Sequence, residues 1–170
     1  MSEKTKKLTF LALSCTLALM LSYIESLLPP VVTSVPGIKM GLANLVIITV
    51  LYLYGLKEAA AVSLLRLVMT FLLFGNPLTA LYSLAGAVIS LLAMALFKRL
   101  RLFSTVGVSV TGGVLHNLGQ ILVAIVLFDS LSIGYYMLIL TLTGTLAGAL
   151  IGITASFLIK RLENVYKHHS

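Results

Sequence analysis

Cysteine and acidic residues are scarce in this chain of 170 residues. Its one cysteine, Cys15, permits neither an internal disulfide nor a metal site built from several cysteines. The sequence has no GxxxxGK[ST] loop, no HExxH or CxxC motif and no aspartate-rich DDxxD motif that would hold magnesium against a prenyl diphosphate. These absences argue against an autonomous ATPase or synthase. We therefore predict that the chain is not itself an enzyme, with no catalytic residue, cofactor or metal site.

Charge is also sparse, and the long apolar stretches explain why. Hydrophobic residues make up 59% of the chain, charged residues 10%, and the mean hydropathy is +1.10. This composition predicts an all-α integral membrane protein, a bundle of six transmembrane helices in a single domain over residues 1–170. The predicted spans are residues 8–28, 40–54, 59–74, 78–97, 105–128 and 133–159.

The second and third spans are short for a bilayer core that takes about 20 helical residues to cross. Joining them into one helix is the alternative, but Gly55, Lys57 and Glu58 interrupt the run, and charges at mid-bilayer are costly. Keeping six spans places ten basic residues on one side and only Lys39 on the other. The ten are Lys4, Lys6, Lys7, Lys57, Lys98, Arg99, Arg101, Lys160, Arg161 and Lys167. This asymmetry predicts a multi-pass protein of the cell membrane with both termini in the cytoplasm.

The net charge of +7 does not indicate nucleic acid as a partner. The basic residues form short clusters at the ends of the predicted helices, where they meet anionic lipid headgroups. The lipid bilayer is therefore the predicted partner of these charges.

Polar residues at membrane depth are the strongest functional signal, because hydrocarbon penalises them unless they face protein or a cavity. In the fifth span one helical face carries Ser109, Gly112, Gly113, His116, Asn117 and Gln120. One interpretation is an interhelical hydrogen-bonding face. The other is the wall of a binding site for a small molecule, in which His116, Asn117 and Gln120 bind the ligand and the two glycines leave room for it.

Arg66 is the one cation placed well inside a predicted span. It could form a structural ion pair with Glu25 or Asp129, or its guanidinium could hold an anionic group of a ligand. The outer loops add polar groups at the Gly75-Asn76-Pro77 turn, and the apolar loop from Pro29 to Lys39 could cover a pocket that opens outward. We therefore include Arg66, Glu25 and Asn76 among the predicted ligand-binding residues.

Small residues that allow close helix packing occur in three spans. The last span has Gly144, Gly148 and Gly152, and the fourth has Ser83, Gly86, Ala87 and Ser90. We expect both sets to pack within the chain. In the first span, Ala12, Ser14 and Ala18 lie near the basic end, and we predict that they dock a partner membrane subunit.

Four separated motifs resemble one family. They are Pro36-Gly37-Ile38-Lys39-Met40-Gly41-Leu42-Ala43-Asn44-Leu45, Tyr54-Gly55-Leu56-Lys57-Glu58-Ala59, Tyr82-Ser83-Leu84-Ala85-Gly86 and Gly113-Val114-Leu115-His116-Asn117-Leu118-Gly119-Gln120. They resemble the Gx transporter family, which is also named heptaprenyl diphosphate synthase component I. That family is similar in size and helix plan to the substrate-binding S components of energy-coupling factor (ECF) transporters.

The resemblance implies uptake of a vitamin-like or partly apolar metabolite, driven by an ECF coupling subunit and two ATPases. It also implies docking through AxxxA-like residues of the first helix, where this chain has Ser14-Cys15-Thr16-Leu17-Ala18, and it adds Tyr82 to the predicted ligand-binding residues. Two alternatives stay open. The chain could be an accessory membrane subunit in isoprenoid or quinone metabolism, or it could serve electron transfer.

Overall fold

The computed structural model describes residues 2–28, 39–101 and 103–168, and these form six α-helices. The helices are α1 (Glu3–Leu27), α2 (Asn44–Leu53), α3 (Leu56–Leu73), α4 (Pro77–Leu100), α5 (Thr105–Phe128) and α6 (Met137–His168), with a 3-10 helix at Leu131–Tyr136 before α6. By length and composition α1, α4, α5 and the Leu131–Asn164 segment could each cross a membrane. The predicted all-α membrane bundle of six helices is therefore confirmed.

The helix ends follow from local sequence. The Asn76 side chain accepts a hydrogen bond from the Thr79 amide at 2.8 Å, and the Thr79 hydroxyl oxygen accepts one from the Asn76 backbone amide at 3.2 Å, so the two form a capping box at the start of α4. Pro77 occupies the first turn, where its missing N–H costs nothing. Ser104 caps α5 by accepting a hydrogen bond from the Gly107 amide. These polar residues set the boundaries between the long apolar helices.

The short helix α2 forms the centre of the bundle. Residues 46–51 are buried without interruption, and α2 contacts each of the other five α-helices. Its ten residues span about 15 Å, roughly half of the hydrocarbon core. Lys98 of α4 donates to the Leu51 carbonyl at 2.6 Å, which satisfies an acceptor at the C-terminal end of α2. Within the predicted span 40–54, the helix thus starts only at Asn44, after a non-helical segment.

Helix α5 packs closely against α6 through glycines. A Cβ added at Gly148 would lie 2.7 Å from the Val110 Cα, and one at Gly144 would lie 2.9 Å from the Gly113 carbonyl oxygen. A Cβ at Gly112 would lie 2.6 Å from the Met94 sulfur of α4. The prediction that Gly112 and Gly113 leave room for a ligand is therefore wrong. They let three helices approach each other.

Helices α1 and α3 meet through polar and charged groups. Near their basic ends, the Lys7 ammonium lies 2.5 Å from the Glu58 carboxylate. Farther along, Arg66 donates to the Ser22 hydroxyl at 3.0 Å. At the opposite end the rings of Tyr23 and Phe74 pack edge to face. The contact between these two helices thus runs from an ion pair at one end, through a buried arginine, to an aromatic pair at the other.

Large apolar side chains cover the outside of the molecule. Leu72, Leu146, Leu150 and Phe157 each expose about two thirds of their surface, and similar residues occur on every long helix. Soluble proteins rarely expose such continuous apolar surface. The belt therefore agrees with the composition in indicating a membrane protein whose helices face lipid.

Candidate functional site

His116 and Gln120 form the centre of a buried polar cluster. Gln120 accepts a hydrogen bond from the Lys39 backbone amide at 3.0 Å, so its own amide nitrogen faces the His116 Nε2 at 2.7 Å. An amide N–H can only donate, and the ring nitrogen must then accept. His116 is only 3% exposed and Gln120 is fully buried. This pair connects α5 to the segment that precedes α2.

Glycines leave the space that the imidazole occupies. A Cβ at Gly86 of α4 would lie 2.8 Å from the His116 Cε1, and one at Gly41 would lie 3.2 Å from its Cδ2. His116 thus sits between α4 and the segment before α2. A side chain at either glycine would have to displace the ring.

Glu25 of α1 also binds the segment that precedes α2. Its carboxylate accepts the Gly41 amide at 2.5 Å, with the Leu42 amide farther away at 3.4 Å. Gly41 has a φ of 81°, a left-handed conformation that favours glycine. A backbone turn that other residues would resist therefore presents its N–H groups to a buried carboxylate.

Arg66 lies in the interior of the bundle and is 5% exposed. Its Nη1 donates to Ser22, whereas its Nε has no hydrogen-bond partner. Among the described residues, the ion pairs within 4.0 Å are Lys6–Glu3 and Lys7–Glu58, so neither Glu25 nor Asp129 forms one with Arg66. Asp129 is exposed at the end of α5. The two ion-pair partners that the sequence suggested for Arg66 are therefore not paired with it.

Lys39 brings a second cation to this region. Burial lowers the pKa of its ammonium group, while the Glu25 carboxylate opposes that shift and the Arg66 cation adds to it. The three charges thus lie close enough to influence one another. Two cations and one carboxylate leave an excess of one positive charge if all three groups are ionised.

A small cavity of about 10 Å³, roughly the space of one water molecule, lies beside Lys39. It is lined by Lys39, Leu67, Thr70, Phe71, Gly75, Thr79, Ala80 and Ser83. The Thr70 hydroxyl is buried and has no hydrogen-bond partner. Thr70 follows Arg66 by one helical turn, so both lie on the buried face of α3. We had not predicted a role for Thr70, although its spacing from Arg66 was visible in the sequence.

Three predicted ligand-binding residues lie apart from this cluster. Asn117 points to α6, where its amide donates to the Leu140 carbonyl at 2.7 Å. Asn76 is exposed and caps α4. Tyr82 is fully buried beside Ile121 and Leu140, and its hydroxyl has no partner. The structure thus brings together four of the seven predicted residues: His116, Gln120, Arg66 and Glu25.

The predicted docking residues do not share an accessible surface. Ser14 and Ala18 are buried inside the bundle, whereas Ala12 is exposed. Thr16, one turn after Ala12, is also exposed. Ala12 and Thr16 thus form a pair of outward small residues one turn apart on α1. The expectation that Ser14 and Ala18 face a partner is corrected, because they pack against this chain's own helices.

The predicted covering loop, Pro29 to Lys39, lies outside the described residues except for Lys39. The cluster consists of side chains from α1, α3 and α5, of the Lys39 side chain and of backbone groups before α2.

Comparison with known proteins identifies a family. A family model described as heptaprenyl diphosphate synthase component I matches residues 14–158. No curated protein and no solved structure matches the chain. The matched residues include all the helical residues that form the cluster.

Proposed function

We propose, for a chain that belongs to the heptaprenyl diphosphate synthase component I family, a role as the substrate-binding membrane subunit of an ECF-type uptake transporter. The substrate is a small, vitamin-like or partly apolar metabolite. The observation that carries this proposal is the buried polar cluster around Arg66 and His116. Buried polar groups without partners are costly at membrane depth, and a ligand that hydrogen-bonds to them removes that cost.

The position of the cluster along the helices supports uptake from outside. Lys7 and Glu58 mark the basic end of α1 and α3, whereas Glu25 lies in the last turn of α1. With the basic end in the cytoplasm, as the charge asymmetry favours, Glu25 and the Lys39 segment lie toward the outer surface of the cell membrane. A metabolite arriving from outside would reach this end of the bundle first.

The energy for transport comes from partners in this proposal. The sequence has no phosphate-binding loop, so an ECF coupling subunit and its ATPases would drive the transport cycle. We place the docking surface on the outward face of α1, at Ala12 and Thr16. Their small side chains would let a partner helix approach closely.

Native mass spectrometry of the detergent-solubilised protein tests this function. We expect a small molecule to co-purify with the wild type and to be lost from Gln120→Leu, because the substitution breaks the two hydrogen bonds that hold the Lys39 backbone and His116 in place. Leu122→Ala, on the exposed face of the same helix, is the matched control and should retain the ligand. A wild-type protein without any bound small molecule would argue against the proposal.

The name of the matched family favours a second function, an accessory membrane component of a prenyl diphosphate synthase. A polyprenyl or quinone mass in the same spectra, together with co-purification of a soluble synthase subunit, would support it. A vitamin-like mass together with an ATPase-linked partner would support uptake.

A further inference from the structure

The charges around Arg66 are not balanced within the described part of the chain. Arg66 and Lys39 are cations, and Glu25 is the one carboxylate that acts on them both. That carboxylate is already hydrogen-bonded by the Gly41 amide and forms no ion pair with Arg66. A buried guanidinium without a paired anion is costly, and a bound anion lowers that cost.

Two hydrogen-bond donors without partners lie on the same buried face of α3. The Arg66 Nε is one of the donors with which a guanidinium binds an oxyanion, and it is free. The Thr70 hydroxyl, 6% exposed, lines the small cavity together with Lys39 and is free as well. Two buried donors from adjacent turns of α3 thus accompany the excess positive charge.

We infer that the ligand carries a single carboxylate group, which Arg66, Thr70 and Lys39 bind. This inference rests on the proposed function and adds the class of substrate to it. With Glu25, Lys39 and Arg66 all ionised, one negative charge brings their sum to zero, whereas a phosphate dianion would exceed it. The cavity has the volume of about one water molecule, which suits a small terminal group better than a diphosphate.

Three aromatic probes of similar shape test the inference on the full chain in detergent. They are benzoate, neutral benzamide and phenyl phosphate. We expect benzoate to raise the melting temperature of the wild type in a saturable manner, and benzamide to leave it unchanged at equal concentration. Phenyl phosphate should bind more weakly than benzoate. The inference would be overturned by an equal effect of benzamide, by a stronger effect of phenyl phosphate or by the absence of a saturable benzoate effect.

Substitutions test whether Arg66 and Thr70 bind benzoate. Arg66→Gln and Thr70→Val should each weaken benzoate binding, Arg66→Gln by about tenfold or more, because a charge-assisted hydrogen bond is lost. Arg99→Gln, at the exposed end of α4, is the control for a lost positive charge and should bind as the wild type does. Thr70→Val keeps the test valid if Arg66→Gln fails to fold, because it preserves the shape of the side chain and removes a hydroxyl that has no partner. Unchanged benzoate binding by Thr70→Val and by a folded Arg66→Gln would overturn the assignment.

The outcome can be separated from that of the proposed function. If a neutral small molecule co-purifies with the wild type and is lost from Gln120→Leu, the ligand-binding function stands and the carboxylate inference fails. If no small molecule co-purifies and benzoate has no effect, both fail.

Discussion

The two sides of the bundle differ in what fills the space between their helices. On the glycine side, formed by α4, α5 and α6, backbones approach so closely that a single Cβ at Gly148 or Gly119 would collide with a neighbouring helix. On the charged side, formed by α1, α3 and residues 39–43, the helices meet around Arg66, Glu25 and Lys39. His116 lies where the two sides join.

This difference suggests that the glycine side provides rigidity and the charged side provides ligand binding. Close backbone packing leaves no volume that a ligand could occupy, so the glycine side can serve as the scaffold. Charged groups in a bundle interior cost free energy and are expected where an ion or ligand is bound. The two kinds of contact therefore predict different consequences of substitution, with large losses of stability on one side and losses of binding on the other.

The largest effect is expected from Gly148→Ala. The added Cβ would lie 2.7 Å from the Val110 Cα and 2.9 Å from the Ser109 carbonyl oxygen, and neither backbone atom can move without shifting α5. Overpacking of this kind destabilises a protein by about 1–3 kcal/mol. Thermal unfolding in detergent measures the loss.

Gly134→Ala is the matched control for this prediction. The nearest atom to its added Cβ is the Ile125 Cδ1 at 3.9 Å, an ordinary contact. Equal melting temperatures for the two variants would show that the glycine side is not the rigid part of the bundle.

The sequence predicted the helices better than it predicted their neighbours. Apolar runs and their polar ends gave the all-α bundle, because hydropathy and capping act locally. The central position of α2 was not visible, since a fully buried helix and a lipid-facing helix are both apolar. The expectation that Ser14 and Ala18 face a partner was corrected for a related reason. Small residues indicate close packing without telling whether the partner helix belongs to the same chain.

Adjacent residues of α5 show, within the site, the same limit of prediction from sequence: the sequence does not tell which neighbour a residue faces. His116 and Asn117 belong to one polar stripe, yet the first contacts α4 and the segment before α2, while the second donates to α6. Consecutive residues differ by about 100° around a helix, so one broad stripe can face two neighbours. The interpretation as an interhelical hydrogen-bonding face thus holds for Asn117, while the ligand-binding role of His116 stays a prediction.

A smaller effect is expected from Asn117→Ala, which tests one residue of this stripe separately from the others. Its amide donates to the Leu140 carbonyl, and interhelical hydrogen bonds in membranes contribute about 0.6 kcal/mol each on average. We expect a modest fall in melting temperature and unchanged retention of the co-purifying ligand. Gln120→Leu removes two buried hydrogen bonds, so it should also lower the melting temperature and, unlike Asn117→Ala, lose the ligand. Loss of the ligand from Asn117→Ala would place Asn117 in the binding site and extend that site toward α6.

The smallest effect on the isolated protein is expected from the double variant Ala12→Leu with Thr16→Leu. Both positions are exposed on α1, and the Thr16 hydroxyl donates to the Ala12 carbonyl of its own helix, so larger side chains meet lipid rather than the described helices. Melting temperature and ligand retention should therefore stay at wild-type values. If this face docks a coupling subunit, however, two leucines keep the partner helix at a distance. Co-purification of an ATPase-linked partner should then fall.

Thr154→Leu is the control for this prediction, since Thr154 is exposed on α6 and its hydroxyl donates to a carbonyl of its own helix in the same way. Undiminished co-purification by the double variant would remove α1 as the docking surface and leave the charged side with a binding role alone.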